Sequence, residues 1–193
     1  MAGPLTRTRP TPSSTGSASR PVEAALGHMM VVGGNFRDWA DLDDQRWDRR
    51  VDDLGRVIDG VGGSWLTLRA YELGDDPPEL HPWHRRVDGC EVIVDPCADG
   101  RRRFADAMSG LDPNVEVNET TVATTLYEPA DCEPDLVLIL GPSTQLPPSL
   151  VWELAYAELV FAEIGWHELG VEHVLVAIDD FTNRRRRFGG LDT

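Results

Sequence analysis

The stretch "DLVLILGPSTQLPPS", residues 135–149, decides the fold. Its opening run is apolar without alternation, the pattern of a strand buried on both faces. A glycine–proline pair ends that strand, and the loop beyond carries no charged side chain. In open α/β sheets ligands bind just outside the carboxyl ends of the strands. A strand end so poor in charge therefore bears on function as well as on fold.

Outward from this strand, apolar runs alternate with helical patterns. On the N-terminal side, residues 29–32 read as a strand, Gly33 and Gly34 as a tight turn, and the polar amphipathic segment after them as a helix. Val51, Leu54, Val57 and Ile58 fall on one face of a helix spanning about 47–58. A glycine break leads to a strand over 65–71, then a polar, proline-interrupted connection, a strand in "CEVIVDP", and a helix in "DGRRRFADAM". "NETTVATTL" suits a short helix capped by Asn118 or a threonine-rich strand equally. On the C-terminal side, "SLVWELAYAELVFAEIGW" reads as one long apolar helix. Val171, Val174, Leu175, Ile178 and Phe181 recur at helical spacing in a closing helix. That helix ends in "NRRRRFGG", cations that suit its dipole followed by glycines that stop it. The expected architecture is a single α/β domain over residues 23–193, with a mainly parallel central sheet flanked by helices. Residues 1–22, rich in Ser, Thr, Pro, Gly and Arg, read as a disordered polar tail.

Composition narrows the function classes. The chain has 193 residues, with 33 acidic against 18 basic ones and a formal net charge of −15. Every basic residue is arginine. So acidic a protein is poorly suited to general nucleic-acid or anionic-membrane binding. Cys90, Cys97 and Cys132 lack metal-ligand spacing, and no apolar run approaches the ~18 residues of a membrane span. A cytoplasmic protein with reduced thiols is expected.

At "PDLVLILGP…LVWELAYAELVF" and "NRRRRFGG" the chain resembles the cis-prenyltransferases, the undecaprenyl diphosphate synthase family. Family members carry D-L-V-I-R-T-G-G-E-x-R-I-S at this strand and open on H-V-A-I-I-M-D-G-N-x-R-W-A, echoed by "HMMVVGGNFRDWA". The departures fall on the groups that hold diphosphates and Mg²⁺. Gly33, or a one-residue deletion, stands where the family has its essential Asp. The strand-end Arg, Glu, second Arg and Ser fall on Ile139, Ser143, Gln145 and Pro147. Of that set only the metal-associated Glu persists, as Glu158. The segment that forms the long prenyl tunnel is largely missing between Tyr71 and Cys90.

This pattern is similar to the non-catalytic branch, the Nogo-B receptor type of subunit, which carries P-D-L-V-L-x-x-G-P at the same strand. The resemblance implies an accessory subunit of a heteromeric cis-prenyltransferase making long-chain polyprenyl diphosphate. Such a subunit supplies a C-terminal R-x-G motif, here Arg187, Phe188 and Gly189, to isopentenyl diphosphate in the catalytic partner's active site. No cofactor would be bound by this chain alone, and Mg²⁺ would sit in the partner. Membrane association would be peripheral, through partner or product.

Other readings stand beside these. "RRRRFGG" can be a solvated helix stop. Asn35 and Arg37 can touch an anion, or "VVGGN" can be a plain turn. Glu158 can be metal-associated or a structural hydrogen-bonder. Trp152, Tyr156, Leu159, Val160 and Phe161 exceed what one helix needs for its own core and mark an oligomer interface; in the resembled family that region dimerises. Two alternative functions remain open. One is a stand-alone enzyme acting on a prenyl diphosphate with altered chemistry; the other is a homodimeric binding or regulatory protein.

Overall fold

The computed structural model describes residues 26–72 and 81–188, with side chains through Arg184; the expected polar tail, residues 1–22, lies outside them. Two fully buried strands, β1 (His28–Val32) and β5 (Leu136–Leu140), lie parallel at its centre. Each is apolar or sealed at every position, as the unbroken runs in the sequence require. Around them the sheet runs β3-β4-β2-β1-β5-β6, with β2 at Trp65–Arg69, β3 at Trp83–Val87, β4 at Cys90–Asp95 and β6 at Glu158–Ala162. All neighbours are parallel except β3, which pairs antiparallel with β4 at one edge.

The two sheet faces have separate cores. On the first, Met29, Leu68, Val92 and Leu138 pack under helices α2 (Asp44–Gly60) and α6 (Val171–Phe188), which contribute Leu54, Ile58, Val174 and Phe181. Fully burying each such side chain stabilises the fold by about 1.5–3 kcal/mol. The second face buries Met30, Val32, Ile93, Val137 and Ile139 against Tyr127, Ala130 and Leu150. Helices α3 (Gly100–Gly110) and α4 (Glu119–Tyr127) pack against each other on that side. A five-residue helix, α1 (Phe36–Ala40), follows β1 directly, and Asn35 caps it.

The ambiguous segment after residue 117 is helix α4, with Asn118 as its N-cap in a reciprocal box with Thr121. The single long helix expected across 149–166 is not formed. A four-residue helix, α5 (Glu153–Tyr156), ends at once, and the chain becomes edge strand β6. An apolar run does not by itself distinguish a buried helix from a strand. The unfilled edge of β5 decides here, taking Glu158 through Ala162 in register with Leu136 through Leu140. The connection after β2 also hides a strand, β3, joined to β4 by a two-residue turn in which Asp88 adopts φ 52°. Strand β2 itself stops at Arg69, two residues short of the expected end.

Candidate functional site

The carboxyl ends of β1, β2, β4 and β5 form the face where an open α/β sheet would hold a ligand. At β1 the turn is closed upon itself. The Gly33 N–H donates to the Arg69 carbonyl at 3.0 Å, and the Gly33 carbonyl accepts from Trp39 Nε1 at 2.9 Å. A Cβ on Gly33 would lie 2.6 Å from the Leu140 side chain. One on Gly34, whose φ is +69°, would lie 2.8 Å from Trp166. These glycines therefore let side chains pack against the turn and leave no open cradle. The Asn35 Oδ1 accepts from the N–H groups of Arg37 and Asp38, at 2.8 and 3.0 Å, so that oxygen is taken up by capping. Arg37 is exposed beside it.

At β5, Ile139 is wholly buried in the second core. The loop beyond exposes Ser143, Thr144, Gln145 and Leu146, and the Gln145 carbonyl accepts from the Tyr71 hydroxyl at 3.3 Å. No charged group stands on this loop before Glu153.

Near the ends of β2 and β4, four charged groups form a largely buried quartet. Arg69, 2% exposed, donates from Nε to Asp95 at 3.1 Å and from NH1 to Glu153 at 2.7 Å. Arg103, from α3, approaches the same two carboxylates at 3.3 Å each and also donates to the Leu126 carbonyl at 2.9 Å. The quartet ties β2, β4, α3 and α5 together with no net formal charge. Burial works to raise the Glu153 pKa, but Arg69 and Arg103 outweigh it and hold the carboxyl below its ordinary range. Sequence reasoning passed over these residues. The available signal was an Arg in phase with the buried positions of "LTLRA", since a guanidinium in such a place requires buried acceptors.

Of the residues singled out from sequence, several lie apart. Glu158 opens β6, level with Leu136, and pairs with Arg184 at 3.5 Å. Val32, at the end of β1, is level with Ile139 and so with Phe161, which puts Glu158 roughly 10 Å back along the sheet by strand rise. Trp152, half-buried, stacks on Phe104 and donates from Nε1 to Glu133 at 3.1 Å. It packs with Leu159 and Phe161 on the second face, while Val160 points into the first core. Tyr156 is exposed and hydrogen-bonds Glu119. Arg187 and Phe188 lie in the last turn of α6, and Gly189 lies outside the described residues.

A Mg²⁺ site of the kind the resemblance implies would need a carboxylate at the β1 end. Gly33 stands there, Glu158 is engaged by Arg184, and no group of three His, Cys, Asp or Glu among the described residues could hold a metal ion. The described residues of this chain do not fit that metal.

Against known proteins, residues 93–189, half of the chain, match the family model described as "Putative undecaprenyl diphosphate synthase". The chain belongs to this prenyltransferase family. It is 34% identical over 119 residues to an isoprenyl transferase of Thermotoga maritima, covering 58% of this chain and 51% of that protein. It is also 34% identical over 173 residues to the bifunctional protein CrtB/UppS of Streptomyces coelicolor, covering 85% of this chain and 29% of that one. The chain thus spans about half or less of the length of these curated relatives. The fold is shared with a probable undecaprenyl diphosphate synthase from Campylobacter jejuni, at TM-score 0.58 and 20% identity over 82% of this chain and 96% of that one. It is shared equally with lavandulyl diphosphate synthase from Lavandula x intermedia, at TM-score 0.58 and 16% identity over 83% and 96%. Among the described residues no helix is long and apolar enough to cross a membrane.

Proposed function

We propose that this chain is a non-catalytic subunit of a heteromeric cis-prenyltransferase, of the Nogo-B receptor type. It stabilises a catalytic partner and lends Arg187, Phe188 and Gly189 to isopentenyl diphosphate in the partner's site. Mg²⁺ belongs to the partner. One observation carries the reading: among the described residues, the ends of β1 and β5 present no side chains arranged to hold a diphosphate. Ile139 is core, the 143–147 loop is uncharged, and the Gly33–Gly34 turn is filled by Leu140 and Trp166.

The direction of α6 supports the second half. Arg184 meets Glu158 at the amino end of β6, so the helix closes at the end of the sheet remote from this chain's own strand carboxyl ends. Arg187 follows Arg184 by less than one turn. An arginine's planar fork matches diphosphate oxygens, which is the chemistry this role asks of it.

The direct test is co-purification with a complete cis-prenyltransferase encoded in the same organism, one that retains the D-G-N and R-T-G-G-E runs. A stable complex more active than the partner alone is expected. Turnover of prenyl diphosphates by the purified chain alone with Mg²⁺ would favour the stand-alone enzyme instead. A homodimer that ignores both partner and diphosphate would favour a binding or regulatory role.

A further inference from the structure

Where α1 and α2 meet the β3–β4 hairpin, the rings of Trp39, Trp47, Trp83 and Trp166 form one cluster. Trp39 stacks on Trp166, with ring centres 5.2 Å apart at 21°. Trp47 stands at 71° to Trp39, and Trp83 at 79° to Trp47, so these rings meet as walls rather than as a stack. Trp39, Trp47 and Trp83 line a cavity of about 50 Å³, completed by Val94, Pro96 and His81. Trp39, Val94 and Pro96 are buried and make its floor; Trp47 is half-buried, and Trp83 and His81 are exposed. The indole N–H groups of Trp39 and Trp47 already donate to the Gly33 and Trp39 carbonyls, at 2.9 and 3.2 Å. What these two rings present is carbon surface and π density.

From these features we infer a binding site for a small quaternary amine, its methylated ammonium group seated among the three indoles. Such a cation is attracted by the ring quadrupoles. Its methyl groups ask for no hydrogen bond, whereas a primary ammonium would leave its N–H groups unmet against Trp39 and Trp47. The surrounding charge favours a cation as well. Within residues 38–48, which carry Trp39 and Trp47, Asp38, Asp41, Asp43, Asp44 and Asp48 stand against Arg46 alone. Arg85, on β3, is neutralised by Asp48 and Asp52 at 2.6 and 2.8 Å. The cluster already accepts one cation, the Arg50 guanidinium, 4.6 Å over Trp166, a ring that does not line the cavity. Size fits the same group: one water needs about 10–15 Å³ on this measure, so the cavity takes roughly four non-hydrogen atoms, as in trimethylammonium. The site is independent of the role proposed for Arg187, since no residue of α6 lines it.

Choline is a suitable probe, and the neutral alcohol with a tert-butyl group in place of its trimethylammonium separates charge from shape. Titration of the full chain, followed through the indole N–H resonances, should show choline shifting Trp47 and Trp83 saturably, with Kd about 1 mM or below. A cation–π contact is worth roughly twofold in affinity at an exposed ring and thirtyfold at a desolvated one, so the neutral isostere should bind at least about fivefold more weakly. Trp47→Leu and Trp83→Leu keep an apolar side chain without the π face. Each should weaken choline about fivefold or more and the isostere less; circular dichroism checks that both variants fold. Trp83 also borders a separate cavity against Thr67 and Arg69, which Trp47 does not line, so the Trp47 resonance locates the binding. Absence of a saturable shift by about 20 mM choline would overturn the proposal. So would an isostere that binds as tightly, choline affinity unmoved in the folded variants, or a response confined to Trp83.

Discussion

Arg69 and Glu153 meet at 2.7 Å with almost no exposure, and at this scale electrostatics governs the strand-end region. Removing one partner from a buried pair leaves an uncompensated charge and typically costs 3–5 kcal/mol. Glu153→Ala should therefore lower the urea-unfolding free energy by about 3 kcal/mol or more. His28 makes a second residue-scale prediction. Its Nδ1–H donates to the Cys132 carbonyl at 2.9 Å, since a carbonyl only accepts, which leaves Nε2 to accept from the Thr67 hydroxyl at 2.9 Å. The ring is thus held neutral, and burial lowers its pKa from 6.5 to about 4. As pH falls between those values the unfolded chain gains a proton that the folded chain refuses, so stability is lost over that window. The loss between pH 7 and pH 5 should be about 2 kcal/mol. Chemical denaturation at the two pH values, repeated on His28→Gln, measures it; a variant with an unchanged pH slope would refute the assignment.

At the scale of elements, local signals explain which parts of the fold were legible. Asn118 sits three residues before Thr121 and caps α4 with its own Oδ1 at 3.0 Å. Asn118→Ala should cost about 1 kcal/mol, read as a shifted denaturation midpoint with an unchanged slope. Strands β1 and β5 were legible because burial on both faces leaves an unbroken apolar run, and α2 and α6 because their apolar stripes repeat at helical spacing. Strand β6 was not, since "ELVFA" fits helix or strand and only the open edge of β5 chooses. The hairpin of β3 and β4 carried a usable mark in Asp88-Gly89, a dipeptide that favours a two-residue hairpin turn, masked by the charged and aromatic side chains of "WHRRV". The candidate site was legible chiefly as what it lacks. Ile139, Gln145 and Pro147 can be read from the strand, whereas the Arg69–Asp95–Arg103–Glu153 quartet joins residues up to 84 positions apart and needs the fold.

At the scale of the whole molecule, the mainly parallel sheet has two distinct ends. Its carboxyl end has an uncharged loop and a closed glycine turn; its amino end carries the Glu158–Arg184 pair and the close of α6. A family chain with this polarity has its diphosphate-facing cations, on the proposed reading, at a neighbour's disposal. The exposed apolar residues Leu146, Val151, Leu154 and Tyr156 lie along the β5–β6 connection and suit a protein partner better than solvent. The most direct measurement is polyprenyl diphosphate synthesis by the purified complex with a catalytic homologue, comparing the natural chain with Arg187→Ala. A charge-assisted hydrogen bond to diphosphate predicts a fall in kcat/KM for isopentenyl diphosphate of roughly ten- to a hundredfold, with the complex intact by gel filtration. An intact complex whose kcat/KM is unmoved by Arg187→Ala would contradict the account.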